Sequence, residues 1–129
     1  MPLMQFHLIE GRSPEQLQQL LDTAHDAMVE AFGVPYRDRY QAVTQHKQGE
    51  LILQDTGLGY ERSNDVVLLS VVSRPRSQEQ KLKLYQMMSD KLHEQCGLAK
   101  DDLMISLVEN SDSDWSFGQG KAEFITGDL

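Results

Sequence analysis

The sequence predicts an α/β (α+β) fold: two tandem βαβ units that form a four-stranded sheet, parallel in pairs, with two helices on one face. Three observations predict it. The chain matches itself when slid by 64 positions, so that Arg12-Ser13-Pro14-Glu15-Gln16 falls on Arg76-Ser77-Gln78-Glu79-Gln80. Nine of the 27 positions from 12 to 38 are identical to their counterparts, where chance gives about one or two. Each copy also holds an amphipathic helical stretch that opens on a serine and stops at a glycine, and an apolar strand-like run precedes each stretch.

The elements follow in order. Leu3 to Ile9 reads as a strand, with Leu3, Phe6, Leu8 and Ile9 apolar among polar neighbours. Helix one opens with Ser13 as N-cap, Pro14 at the first helical position and Gln16 closing a capping box. Leu17, Leu20, Leu21, Ala24, Met28 and Phe32 recur at three- and four-residue spacing, which makes one buried face. Gly33 can take the left-handed conformation that ends a helix. A strand follows near Tyr40–Gln45. In the second copy, Val66 to Val72 is almost continuously apolar, as in a parallel strand buried on both faces. Helix two starts at Ser77 with Gln80, carries Tyr85, Met88 and Leu92 inside, and ends at Gly97; a last strand covers Leu103–Val108.

Right-handed crossovers place both helices on the same side of the sheet. The opposite side then lacks a cover, so a symmetric oligomer is expected. The whole chain reads as one domain, 1–129, with repeats at about 2–45 and 66–109. Residues 46–65 link them, with turn glycines at 49, 57 and 59 around a short Leu51-Ile52-Leu53 strand. The tail, 110–129, is rich in Ser, Asp and Gly yet carries Trp115, Phe117 and Phe124, which suits a segment that docks on something.

Charge and cysteine content narrow the function. Twelve Lys and Arg against 20 Asp and Glu leave a net charge of −8, which argues against nucleic acid or an anionic membrane as partner. A small anionic substrate stays open, because local charge decides that. One cysteine, Cys96, excludes an internal disulfide and reads as a small core residue rather than a nucleophile. The opening MPLMQFHLIEG lacks a basic n-region and a long apolar core, and no run approaches a membrane span, so a cytoplasmic protein is expected. His7, His25, His46 and His93 show no metal-ligand spacing, and His25 and His93 read as polar-face helical residues.

Three places can carry chemistry. Removal of Met1 before Pro2 would leave a secondary amine at the start of the first strand. A chain-terminal amine titrates near 7.7–8, roughly, in the useful range for proton transfer or nucleophilic attack. Met-Pro is also a common protein start without function. Arg74-Pro75-Arg76 follows the buried strand of the second copy, where Pro75 stiffens the backbone between two guanidiniums. Such a pair suits a carboxylate and a neighbouring carbonyl; ordinary solvated charge is the other reading. Asp38, in VPYRDRY, reads by spacing as a turn residue, or as one that orients water or a carbonyl.

An N-terminal proline, a duplicated βαβ chain and this arginine pair together resemble the tautomerase superfamily, and within it the malonate semialdehyde decarboxylases. The likeness runs nearly end to end, through PLMQFHLIEGR, AHDAMVEAFGVP, DRYQAVTQH, DTGLGY, VVLLSVVSRPRS and VENSDSDWSFGQGKAEFITGDL. The resemblance implies a tautomerase-like fold, a homotrimer and no metal or organic cofactor. It implies catalytic roles for Pro2, Arg74, Arg76 and Asp38, and a substrate-binding apolar wall of Trp115, Phe117, Phe124 and Leu129. The implied reaction is decarboxylation of malonate semialdehyde, a small anionic 3-oxo acid, to acetaldehyde and CO2, with a hydratase side activity.

Two other readings stand beside it. One is a relative of the same superfamily, a cis-3-chloroacrylate dehalogenase-like hydratase or a keto–enol tautomerase. The other is a non-catalytic ligand-binding module built on βαβ units.

Overall fold

The computed structural model describes all 129 residues. Strand β1 (Leu3–Ile9) leads through helix α1 (Pro14–Phe32) to β2 (Tyr40–His46), and β3 (Val67–Ser73) leads through α2 (Gln78–Cys96) to β4 (Leu103–Glu109). Short 3-10 turns cover Lys100–Asp102 and Asp112–Asp114, and one last turn of helix, α3, covers Glu123–Thr126. The strand order is β2-β1-β3-β4. β1 and β2 are parallel, as are β3 and β4, and the two halves join through an antiparallel β1–β3 pair.

The internal repeat is a structural one. Adding 64 to the bounds of β1 and α1 gives those of β3 and α2. The register slips by one only at the last strands, because Arg39 separates Asp38 from β2 whereas Asp102 abuts β4. The caps repeat too. Ser13 and Ser77 each accept the N3 backbone N–H on the side-chain oxygen, and Gln16 and Gln80 each reach back to the cap's own N–H. Gly33 (φ 65°) and Gly97 (φ 68°) stop the helices in the left-handed region, where a Cβ would be strained.

The core lies between the helix pair and one side of the sheet. Met4, Phe6 and Leu8 from β1 and Val67, Leu69 and Val71 from β3 meet Leu20, Ala24 and Met28 of α1 and Leu84, Met88 and Leu92 of α2. The other side of the sheet has no cover within the chain. Leu3, Gln5 and His7 are half-buried there, and Met104 and Val108 are exposed.

Five expectations are corrected. The second apolar run begins its strand at Val67 rather than Val66, and it alternates between buried and half-buried residues instead of being buried on both faces. Its outer residues face the uncovered side. Leu51-Ile52-Leu53 forms no strand, since no neighbouring strand offers it a ladder, and Ile52 is 72% exposed. His25 is fully buried rather than on a polar face: the loop entering β2 folds over it, and its Nε2 lies 2.6 Å from the Tyr36 carbonyl oxygen. Cys96 is half-buried at the margin of the core, with its Sγ 3.7 Å from the Thr23 hydroxyl.

Candidate active site

The sheet register alone gathers the candidate residues. Leu3 pairs with Tyr40 on one side and with Val72 on the other. The residue before Leu3 is Pro2, the segment before Tyr40 carries Asp38, and the segment after Val72 carries Ser73, Arg74 and Arg76. All therefore meet at one end of the sheet. Pro2 is buried there, and Asp38 is 6% exposed.

Electrostatics reports the same proximity. The terminal amine, carried by Met1, is pushed down to about 6, first by burial and then by the Arg76 and Arg74 charges, with Asp38 opposing. Both effects penalise a cation. Burial and the Arg74 charge also lower the Arg76 guanidinium, and Asp38 again acts the other way. Two cations, one buried acid and the chain's first residues thus form one coupled group.

Asp38 is best understood beside its repeat counterpart. Asp102 is buried as well, and its carboxylate accepts the Ser63 N–H at 2.7 Å and the Ser63 hydroxyl at 2.6 Å. Asp38 holds its loop through its own N–H, which donates to the Pro35 carbonyl at 2.9 Å, while its Oδ2 is buried without a partner. A buried carboxylate oxygen without a partner is costly for folding. The Asp38 charge acts on the Arg76 guanidinium and on the terminal amine, so it belongs to the same group of charges.

Each arginine lies over an aromatic ring. Arg76 stands 4.8 Å from the Phe32 centroid and Arg74 4.0 Å from that of Phe124. Phe124 belongs to a folded C-terminal segment. Trp115 donates its indole N–H to Asn110 at 2.7 Å and stacks on Phe117 at 5.5 Å; Phe117 in turn meets Tyr40 and Phe124. Trp115, Phe117 and Phe124 therefore make an apolar wall against the arginine end of their own chain. Leu129 is 56% exposed and joins the segment through its backbone N–H on the Glu123 carbonyl. Phe32, Ser73, Tyr40 and Asp112 also belong to this end. The spacing of Phe32 and the β3 register of Ser73 carried a signal; Asp112, in a run of Ser and Asp, carried none.

The opposite end of the sheet is an altered copy. A groove of about 370 Å³ is lined there by Glu10, Gly11, Arg12, Gln16, Cys96 and Leu98, among others. By the 64-residue offset these stand where Arg74, Pro75, Arg76, Gln80, Phe32 and Val34 stand at the first end. Glu10 replaces an arginine, Val66 replaces Pro2, and the remaining Arg12 donates to the Asp65 carbonyl at 2.7 Å. The arginine pair exists at one end only. The side chains present no cluster of three or more His, Cys, Asp or Glu that would hold a metal ion.

Duplicated βαβ halves with a charged site at the start of the first strand define a class of small α/β enzymes, and comparison places the chain within it. Two family models described as tautomerase enzyme match residues 2–60 and 38–118. The chain is 50% identical over 129 residues to a probable tautomerase, YrdN, of Bacillus subtilis (strain 168), with both chains fully covered. It superposes on malonate semialdehyde decarboxylase, an enzyme with decarboxylase and hydratase activities, with a TM-score of 0.96 and 59% identity over 98% of each chain. A second malonate semialdehyde decarboxylase, inhibited by 3-bromopropiolate, gives 0.94 and 38% over 98% of this chain and 97% of that one. The chain belongs to the tautomerase superfamily, and it is an enzyme of that superfamily similar to malonate semialdehyde decarboxylase.

Proposed function

We propose that the mature protein begins at Pro2 and is a cofactor-independent decarboxylase, converting malonate semialdehyde to acetaldehyde and CO2. The observation that carries this reading is the convergence of the chain's first residues with Arg74, Arg76 and the unpartnered Asp38 carboxylate at one sheet end.

Loss of CO2 from a 3-oxo acid sends the electron pair of the breaking C–C bond toward the carbonyl oxygen. Catalysis must favour that developing charge over the ground state. The arginine pair binds the carboxylate and turns it so that the breaking bond stands perpendicular to the carbonyl plane. Pro2 meets the other end of the substrate. A protonated Pro2 donates a hydrogen bond to the carbonyl oxygen; a neutral one adds to the aldehyde with loss of water and gives an iminium, which accepts the electron pair. The wall of Trp115, Phe117 and Phe124 suits the departure of neutral CO2 from a charged carboxylate. Asp38 orients or activates water, which supplies the hydratase side reaction. The uncovered sheet face supports a homotrimer, in which other copies bury that side.

The test is acetaldehyde release from malonate semialdehyde by protein whose intact mass shows the loss of Met1. Release above the uncatalysed rate supports the reading. Tautomerisation of phenylenolpyruvate without acetaldehyde would instead make the chain a keto–enol tautomerase.

A further inference from the structure

Both arginines of the site leave the sheet on long, flexible stems. Bidentate recognition of a carboxylate requires a fixed guanidinium plane, so something must hold each one. The two are held in the same way. Arg76 donates its Nε to the Ser73 hydroxyl at 3.0 Å and places its Cζ over the Phe32 ring. Arg74 donates its Nε to Asp112 Oδ1 at 2.8 Å and places its Cζ over the Phe124 ring. With Nε engaged and an aromatic ring against the head group, each guanidinium keeps its two terminal nitrogens as a fork.

The tethers differ in origin. Ser73 is a fully buried strand residue, fixed by its own donation to the Arg74 carbonyl at 2.8 Å. Asp112 comes from the C-terminal segment, which is pinned to the sheet where Asn110 donates its N–H to the Ser73 carbonyl at 2.8 Å. The Arg74–Asp112 pair is about half exposed, with side-chain exposures of 37% and 49%. A pair so open to water adds little to folding. Its consequence is orientation.

We infer that Asp112 is a positioning residue: it aligns Arg74 for the carboxylate of the substrate, and through it the C-terminal segment sets the affinity of the site for its acid. This rests on the reading that Arg74 binds that carboxylate. Truncation of Asp112 leaves Arg74 with its ring but without its in-plane anchor. Arg76, anchored on Ser73, still turns the carboxylate for C–C cleavage, so the loss falls on binding rather than on the chemical step.

The experiment compares wild type, Asp112→Ala and Asp112→Asn, all lacking Met1. Malonate, an unreactive dicarboxylate, is titrated by calorimetry, and KM and kcat for malonate semialdehyde are measured alongside. The expected result for Asp112→Ala is about a tenfold rise in both the malonate Kd and KM, with kcat within about twofold of wild type. Asp112→Asn keeps an acceptor oxygen at the same place and is expected to recover both constants to within about threefold. Equal impairment of the two variants overturns the inference, as does a wild-type-like Asp112→Ala or a wild type that binds no malonate. A wild type that binds malonate but releases no acetaldehyde removes the decarboxylase reading, and the calorimetric comparison still decides the role of Asp112.

Discussion

Asp38 and Asp102 occupy matching places in the two halves, 64 residues apart and both buried, yet only Asp102 has its carboxylate capped by Ser63. The same residue type is thus capped by a serine in one half and, in the other, buried near Arg76 with its Oδ2 unpartnered. Substitution separates the roles. Asp102→Ala strands the Ser63 N–H and is expected to cost about 2 kcal/mol of stability, read from urea midpoints, with kcat/KM within about twofold of wild type. Asp38→Asn is expected to change stability by less than about 1 kcal/mol and to lower hydratase turnover by tenfold or more, on the order expected for loss of a general base.

Arg74→Ala and Arg76→Ala are each expected to lower kcat/KM for malonate semialdehyde by about a hundredfold, the scale of a charged, bidentate contact. Arg12→Ala, at the matching place in the altered half, is expected to leave kcat/KM within about twofold. Steady-state kinetics on the three variants checks the asymmetry. Full activity in both Arg74→Ala and Arg76→Ala would refute the site assignment.

The terminal amine gives a pH prediction. In protein that retains Met1 its value is about 6, below the ordinary 8.0, chiefly through burial and then Arg76 and Arg74. Between these values the unfolded chain binds the extra proton and the folded chain does not. Stability from this group therefore rises as pH increases from about 6 toward 8, and it is lowest below 6. NMR titration of the amine is expected to show the value moving back up in Arg76→Ala.

The matched caps give a prediction about folding alone. Ser13→Ala and Ser77→Ala each remove one half of a capping box and are each expected to cost about 1 kcal/mol by denaturant melts. The two losses are expected to add, because the helix starts share no partner.

The half-buried outer sheet face predicts assembly. The native mass is expected to equal three chains of 14.7 kDa. Leu68→Glu places a charge on that face and is expected to shift the sedimentation profile toward monomer.

Much of the fold was legible because its signals are local. Serine caps, stop glycines and three-to-four spacing are written within single helices, and the repeat doubled each signal. The arginine pair and Asp38 could be placed at one end once the strands were known. His25 was misread although its spacing from Leu21, Met28 and Phe32 sets it on the apolar stripe; its identity as histidine outweighed its position. Leu51-Ile52-Leu53 failed for the opposite reason, since three apolar residues make a strand only when a ladder is at hand. Asp112 had no signal at all. Its meaning lies in a contact with Arg74, 38 residues away in the chain, and an aspartate among serines announces nothing about such a partner.

The groove at the altered end of the sheet bears on stoichiometry. Only one half of the chain can offer a free imino nitrogen, because position 66 lies inside the chain and a proline there would be acylated. The far end, with Val66, Glu10 and a carbonyl-bound Arg12, also lacks the paired guanidiniums, so the proposed function gives each chain a single reaction centre. A covalent reagent aimed at the Pro2 nitrogen should therefore be consumed mole for mole with polypeptide, and a trimer should saturate at three labels.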